Sequence, residues 1–306
     1  MRISDNMTYN DFLKNLTTNT NKVQKTMSQL SSFKEVSKSS DNPLLVSKIM
    51  DLNVSLAQNK TYASTISDGI SWSQTQYSAL SGVTTSMQRI STLIQSSANA
   101  STADSDVKAN KDEVEQLISG VVDSLNTNFD GRYVFGGQNT TTVPFEVEKE
   151  NGEITGIKYN GTAQDLPREI AKGVGVNLFA DGTKLTDLSD SAQTGENISG
   201  YFNKLITALN SDDKDSLSGD LLKENQNYTD NFTNVQAKIS TITTRLQAAS
   251  SRNETEKSNL TDVLSDKQDV DVAQKYMEYQ NQMTSYKATL AMGTKIMQTT
   301  ILDYLN

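Results

Sequence analysis

Residues 43–97 read PLLVSKIMDLNVSLAQNKTYASTISDGISWSQTQYSALSGVTTSMQRISTLIQSS, an almost unbroken helical pattern. Leu45, Ile49, Leu52, Leu56, Ala63, Ile66, Ile70, Tyr77, Leu80, Met87, Ile90 and Ile94 return with a period close to 3.5. That is the spacing of a helix that buries one narrow stripe. Gly69 and Gly82 weaken it only locally, by up to ~1 kcal/mol each relative to alanine. At 1.5 Å per residue such a helix is roughly 80 Å long and cannot wrap a compact core. It needs partners along its length. Pro43 suits the first helical turn, with Asp41 or Asn42 as the cap, since a proline lacks only an amide that would be unbonded there.

Outward from this helix, both ends of the chain carry stripes of the same kind. Phe12, Leu16, Val23, Met27 and Leu30 recur at helical steps near the start, predicting a helix from about residue 5 to the mid-thirties. Tyr276, Tyr279, Met283, Tyr286, Leu290, Met297 and Tyr304 do so near the end. Two polar joints, Ser37–Pro43 and Ser265–Asp271, sit at matching distances from the two ends and set each terminal helix off from its neighbour. A narrow apolar seam must be buried against another helix, so the ends are expected to pair with each other or with copies of the chain. The candidate assembly residues are Phe12, Leu16, Val23, Met27, Leu30, Tyr279, Met283, Tyr286, Leu290, Met297, Leu302 and Leu305.

Composition narrows the function. The chain has 306 residues, about two domains by length, but only 35% hydrophobic and 7% aromatic residues. Long two- or three-helix bundles tolerate so polar a composition; one deep core does not. A net charge of -9 with scattered Lys and Arg argues against nucleic acid, whose binding needs clustered cations. Cysteine and histidine are absent. Disulfides, thiolate or imidazole metal sites, and Ser-His-Asp catalysis are therefore excluded. No cofactor is expected. The N-terminus lacks the apolar run of a cleaved leader, and no window suggests membrane insertion. The Asn-x-Ser/Thr triplets at Asn139, Asn160 and Asn197 are expected by chance in a chain this rich in those residues.

After a polar break at Ser101–Ser105, Val107, Val114, Leu117, Ile118, Val121, Leu125 and Phe129 predict a returning helix. Between Gly131 and Gly200 the texture changes to glycine-rich. Phe145 to Tyr159 around Asn151-Gly152 predicts a β-hairpin, and further strands are expected at Arg168–Ala171 and Val174–Phe179. Helical periodicity resumes near Gly200 and becomes regular from Tyr228 to Leu264. Three local features invite functional readings and have plainer ones. Asp212, Asp213 and Asp215 lack the glycine turn and bidentate Glu of a calcium loop and read as a solvated loop. Gly173-Val-Gly175 lacks the third glycine of a dinucleotide loop. Trp72 on the long helix reads as a packed residue rather than a ligand platform.

Several motifs resemble those of the flagellin family. Met1-Arg-Ile-Ser with Asn6-Met7 is similar to its opening, and Ser37-Lys-Ser-Ser-Asp-Asn-Pro43 to its hinge, with Asn42 in place of an acid. The segment Asp130-Gly-Arg-Tyr-Val-Phe-Gly-Gly137, followed by Pro144-Phe145, resembles the passage from helical rod to β domain and is the most specific element. Asp269-Val-Asp-Val-Ala273 and Leu302-Asp-Tyr-Leu305 match the pattern of the last helix. The likeness covers roughly residues 1–145 and 225–306. It leans toward the subunits at the hook–filament junction, since Pro43-Leu-Leu-Val46 stands where filament flagellin carries an Ala-rich stretch.

The resemblance implies a mainly α fold, an elongated flagellin-like bundle with paired N- and C-terminal helices and a small β-rich central insert. The expected division is 1–40 plus 268–306 as terminal pair, 41–130 plus 220–267 as helical rod, and 131–219 as outward-facing insert. The implied function is structural and non-enzymatic: a self-assembling subunit between hook and filament, extracellular, exported through the flagellar type III route. Implied partners are further copies of itself, hook-associated protein 1, flagellin and an export chaperone. Filament flagellin itself, or a cytosolic coiled-coil scaffold, are the alternatives.

Overall fold

The computed structural model describes residues 2–99, 103–150, 152–188 and 197–302, with side chains of these given within residues 6–295. In chain order α1 spans Arg2–Ser32, α2 Pro43–Ala98 and α3 Asp104–Leu125. Three short antiparallel pairs follow: β1 (Asn128–Phe129) with β2 (Arg132–Tyr133), β3 (Phe145–Glu150) with β4 (Glu153–Tyr159), and β5 (Leu166–Ala171) with β6 (Val174–Leu178). The one-turn α4 (Thr183–Thr186), α5 (Ile198–Ser211) and α6 (Lys214–Ser216) lead through a π-helical turn, Leu217–Leu221, into α7 (Leu222–Gln268) and α8 (Val272–Leu302). The chain is mainly helical with a small β insert, and no described helix is long and apolar enough to cross a membrane.

The long helix begins where its proline predicts. Asn42 is the cap, its Oδ1 accepting from Leu45 N at 3.1 Å, and Pro43 is the first helical residue. The β3–β4 pair falls at the expected hairpin, with Gly152 at φ +91°, and β5 and β6 fall at the two further strands expected, which pair with each other; Asn151, the partner of Gly152 in the expected turn, lies outside the described residues. The β1–β2 hairpin has no counterpart in the sequence reading, because two-residue strands carry no alternation to detect. Its turn puts both Asp130 (φ +50°) and Gly131 (φ +75°) in the left-handed region, as a primed hairpin turn requires.

The chain forms two compact units, residues 59–254 and residues 1–58 with 255–306. The first holds one contiguous core. Leu80, Val83, Met87, Ile90 and Ile94 of α2 belong to it, with Val114, Ile118 and Val121 of α3 and Tyr228, Phe232, Val235 and Ile239 of α7. Phe135, Phe145, Ile154, Ile157 and, from α5, Tyr201, Phe202 and Leu205 belong to the same cluster, so the hairpins have no separate core.

Buried amides tie these parts together. Gln76, fully buried, donates Nε2 to the Val134 carbonyl at 2.7 Å and the Phe179 carbonyl at 2.6 Å. Asn126 exchanges bonds with the backbone of Phe145, donating to its O at 2.8 Å and accepting from its N at 3.0 Å. Asn59 and Asn253 each donate to the other's carbonyl, at 3.0 and 3.1 Å. Tyr159 anchors the insert: Gly182 N donates to its hydroxyl at 3.1 Å, and burial pushes its pKa up to about 12.

In the second unit α1 packs against α8. Its joints differ from expectation at the edges. Helix α1 stops at Ser32, and α7 continues to Gln268, leaving residues 269–271 as the second joint. Ser265 to Gln268 contain no glycine or proline to stop the helix. The two joints bond to each other: Glu35 N donates to Gln268 O at 2.8 Å, Val270 N to Phe33 O at 3.2 Å, and Lys34 pairs with Asp269 in an antiparallel bridge. Asp271 then caps α8 through Ala273 N and Gln274 N at 2.9 and 3.0 Å.

Candidate assembly interface

The packed face of α1 carries Phe12, Leu16, Asn19, Val23, Thr26 and Leu30, alternating steps of four and three. The packed positions of α8 are Lys275, Tyr279, Gln282, Tyr286, Thr289 and Gly293, in the same alternation. Both are seven-residue repeats of the kind that pairs two helices along a seam. The seam is only partly apolar. Asn19 Nδ2 donates to Thr289 Oγ1 at 2.8 Å, and Thr26 Oγ1 to Gln282 Oε1 at 2.8 Å. The Phe12 ring rests on Gly293, where an added Cβ would lie 2.3 Å from Cζ. Near the joint, Lys275 Nζ lies 3.2 Å from Glu35 and 3.3 Å from Glu278. Partial burial of that ammonium lowers its pKa, but the two carboxylates more than offset this and raise it.

Of the candidate assembly residues, Phe12, Leu16, Val23, Leu30, Tyr279, Met283 and Tyr286 are half-buried. Met27 and Leu290 stand outside the seam, 60% and 40% exposed. The strict alternation runs from Val23 to Thr26, so the neighbouring Met27 turns away; Leu290 likewise follows Thr289. The side chains of Met297 and Leu302, and the whole of Leu305, lie outside the described residues. Sequence reasoning missed the polar layers Asn19–Thr289 and Thr26–Gln282, whose spacing was readable once polar residues were admitted to the repeat.

Apolar exposure divides sharply between the two units. Of 17 exposed large apolar side chains among the described residues, only Tyr77, Val143 and Val174 belong to residues 59–254. The other 14 lie in residues 1–58 and 255–306, including Met7, Tyr9, Leu13, Phe33, Met50, Val54, Val272, Tyr276, Met277 and Met292. Buried apolar residues show the reverse, since Ile49 is the one such residue described in that unit.

The glycine-rich motif and the acidic loop have structural roles. Arg132 places its guanidinium 5.6 Å from the centre of the Trp72 ring, which meets Phe129 edge-on at 6.2 Å. Trp72 is buried, 3% exposed. Asp212 ends α5 in the left-handed region (φ 49°), and Asp213 caps α6, accepting from Ser216 N at 3.2 Å. Asp165 accepts from Ala180 N, Asp181 N and Lys184 Nζ at 3.1, 3.3 and 3.0 Å. Burial pushes its carboxyl up, and these donors together hold it below the ordinary range. Among the described residues no group of three or more acids is arranged to hold a metal ion.

Residues 3–140 match the family model of the bacterial flagellin N-terminal helical region. Over 307 residues the chain is 26% identical to flagellar hook-associated protein 3 of Escherichia coli K12, covering 94% of this chain and 95% of that one. Phase 1 flagellin of Salmonella naestved is 29% identical over 136 residues, 44% of this chain and 25% of the flagellin. The solved structure of a flagellar hook-associated protein from Vibrio parahaemolyticus shares the fold, with a TM-score of 0.66 at 19% identity over 75% of this chain and all of that one.

Proposed function

We propose that this chain, a flagellin-family protein, is the structural subunit joining hook to filament in the bacterial flagellum, assembling through its terminal helices. The concentration of exposed apolar side chains on the unit holding both chain ends carries this reading. Residues 59–254 satisfy their own core, while the terminal unit leaves apolar surface for a neighbour to bury. Near full-length alignment with a hook-associated protein, against a quarter of a flagellin, favours the junction over the filament.

On this reading the terminal pair builds the contacts that propagate the assembly, the rod packs beside its neighbours, and the insert faces outward. Met27 and Leu290, outside the intramolecular seam, are the assembly residues directly available to a second copy. Hook-associated protein 1 borders the subunit on the hook side and flagellin on the filament side. An export chaperone holds it before passage through the type III apparatus. The role is structural and needs no catalytic site. Electron microscopy of a deletion strain, with flagellin assayed in the medium, tests the reading. Hooks without filaments and shed flagellin are expected; normal filaments would refute it.

A further inference from the structure

Five pairs in this chain place Asn or Asp before glycine, and the fold treats one of them differently. In such a pair the glycine amide nitrogen can attack the side-chain carbonyl carbon before it, because no Cβ obstructs the approach. The reaction needs that amide free and the preceding side chain exposed. Gly69 lies inside α2, with its amide in the helical ladder. Gly131 N donates to Asn128 Oδ1 at 2.8 Å, and Gly182 N to the Tyr159 hydroxyl at 3.1 Å. Asn151, before Gly152, lies outside the described residues. In the fifth pair Asn160 is exposed, and among the described residues neither its side chain nor Gly161 N has a hydrogen-bond partner. Its side chain is also an amide, which can leave as ammonia, where the other three described pairs present a carboxylate.

The surroundings make this glycine obligatory. The Tyr159 ring lies over Gly161, where an added Cβ would come within 2.3 Å of the hydroxyl oxygen. That ring cannot move aside, since its hydroxyl lies 3.1 Å from each of Phe135 O, Thr162 O and Gly182 N. The labile pair is therefore built into the insert. The chain is also pinned on both sides of it. Asn160 N donates to Pro144 O at 2.8 Å, and Thr162 N to Gly136 O at 3.2 Å. Thr162 Oγ1 accepts from Gln138 N at 2.7 Å. These bonds slow ring closure relative to an unfolded chain, and they leave no slack for an extra backbone atom between the anchors.

We propose that Asn160 is a site of spontaneous deamidation and isoaspartate formation that loosens the insert as the protein ages. Gly161 N loses its proton to solvent base and attacks Asn160 Cγ. The N–Cγ bond forms, the Cγ–Nδ2 bond breaks, and the departing nitrogen takes a proton from solvent and leaves as ammonia. Water then opens the succinimide at either carbonyl. One product is aspartate, which adds only a charge. The other is isoaspartate, whose main chain runs through the side-chain methylene and is longer by one bond of about 1.5 Å. With Asn160 N held to Pro144 O and Thr162 held to Gly136 and Gln138, that extra length must open one set of anchors.

The test ages the full-length protein in mildly alkaline buffer and follows it by tryptic digestion and mass spectrometry. Cleavage after Lys158 and Arg168 isolates residues 159–168, which contain this pair and exclude Asn151. Conversion of amide to acid in that peptide is expected, rising with pH as removal of the amide proton requires, with labelling by isoaspartyl methyltransferase. Asn160→Gln, whose ring closure is slower, should lose both signals; its exposed side chain replaces one without a hydrogen-bond partner among the described residues, so the fold is kept. The isoaspartate-containing fraction should melt below Asn160→Asp, which carries the charge without the extra carbon. The same peptide in the urea-unfolded chain supplies the unrestrained rate. Native conversion more than about a hundredfold slower than that would mean the fold protects the pair, and would overturn the site. Equal melting of the isoaspartate fraction and Asn160→Asp would overturn the loosening of the insert.

Discussion

Replacing Gln76 by methionine keeps the length of a buried side chain and removes its amide. Two carbonyls, Val134 O and Phe179 O, then lose donors at 2.7 and 2.6 Å inside the core. At about 1–3 kcal/mol for each buried carbonyl left bare, the loss is about 2–6 kcal/mol. Gln76 Oε1 finds no donor among the described residues, so removing it returns part of that loss. The net destabilisation should be about 2–4 kcal/mol, or a fall in melting temperature of roughly 5–15 °C for a unit of this size. The sole tryptophan lies one turn away on the same helix, buried against Phe129, and its emission reports the transition locally. Gln76→Glu sharpens the test by turning an anion toward both carbonyls. It should destabilise more at neutral pH and recover partly in acid, when the carboxyl regains a proton to donate. A Gln76→Met melt within ~0.5 kcal/mol of wild type would refute the idea that this amide secures the hairpin segments to α2.

Gly293→Ala drives a Cβ into the Phe12 ring, at 2.3 Å from Cζ, and should weaken the terminal pair by ~1–3 kcal/mol. Faster tryptic cleavage at Lys14, Lys22 and Lys25 would show it, and adding Phe12→Leu should restore resistance; no rescue would refute the contact. Leu290→Asp changes a side chain 40% exposed, so the monomer should melt within ~0.5 kcal/mol of wild type. Its flagellar incorporation should be abolished by burial of an unpaired charge, and normal filaments would remove Leu290 from the interface. Asp165 has a depressed pKa in the folded chain, so its contribution is present above the ordinary value of 3.8 and lost as pH falls through the depressed one. Asp165→Asn should therefore melt lower at pH 7, with the gap to wild type closing through that acidic window; a constant gap would deny the charge a role.

Helices and hairpins were legible where local chemistry decides them. Pro43 and Asn42 mark a helix start by their own backbone demands, and the Asn151-Gly152 pair marks a turn by residue type, with Gly152 then at φ +91°. The assembly surface was less legible because apolarity served as the criterion for packing. Thr26 and Thr289 pack inward while the adjacent Met27 and Leu290 face out. A hydrogen bond between two polar side chains satisfies the seam as well as two apolar ones do, and only the partner helix reveals it. Gln76 was invisible for a related reason, since its partners lie 58 and 103 residues away. The left-handed backbone at Phe33 (φ 56°) leaves no trace in residue type, since such a position ordinarily takes glycine or asparagine.

The clasp between the two joints has a mechanical corollary. Bonds from Glu35 N to Gln268 O and from Val270 N to Phe33 O cross between two antiparallel segments. A pull along those segments strains both bonds in shear at once rather than opening them one after the other. The connections on either side of the clasp therefore bend as one plate, and a twist applied to one strand is shared by its mate.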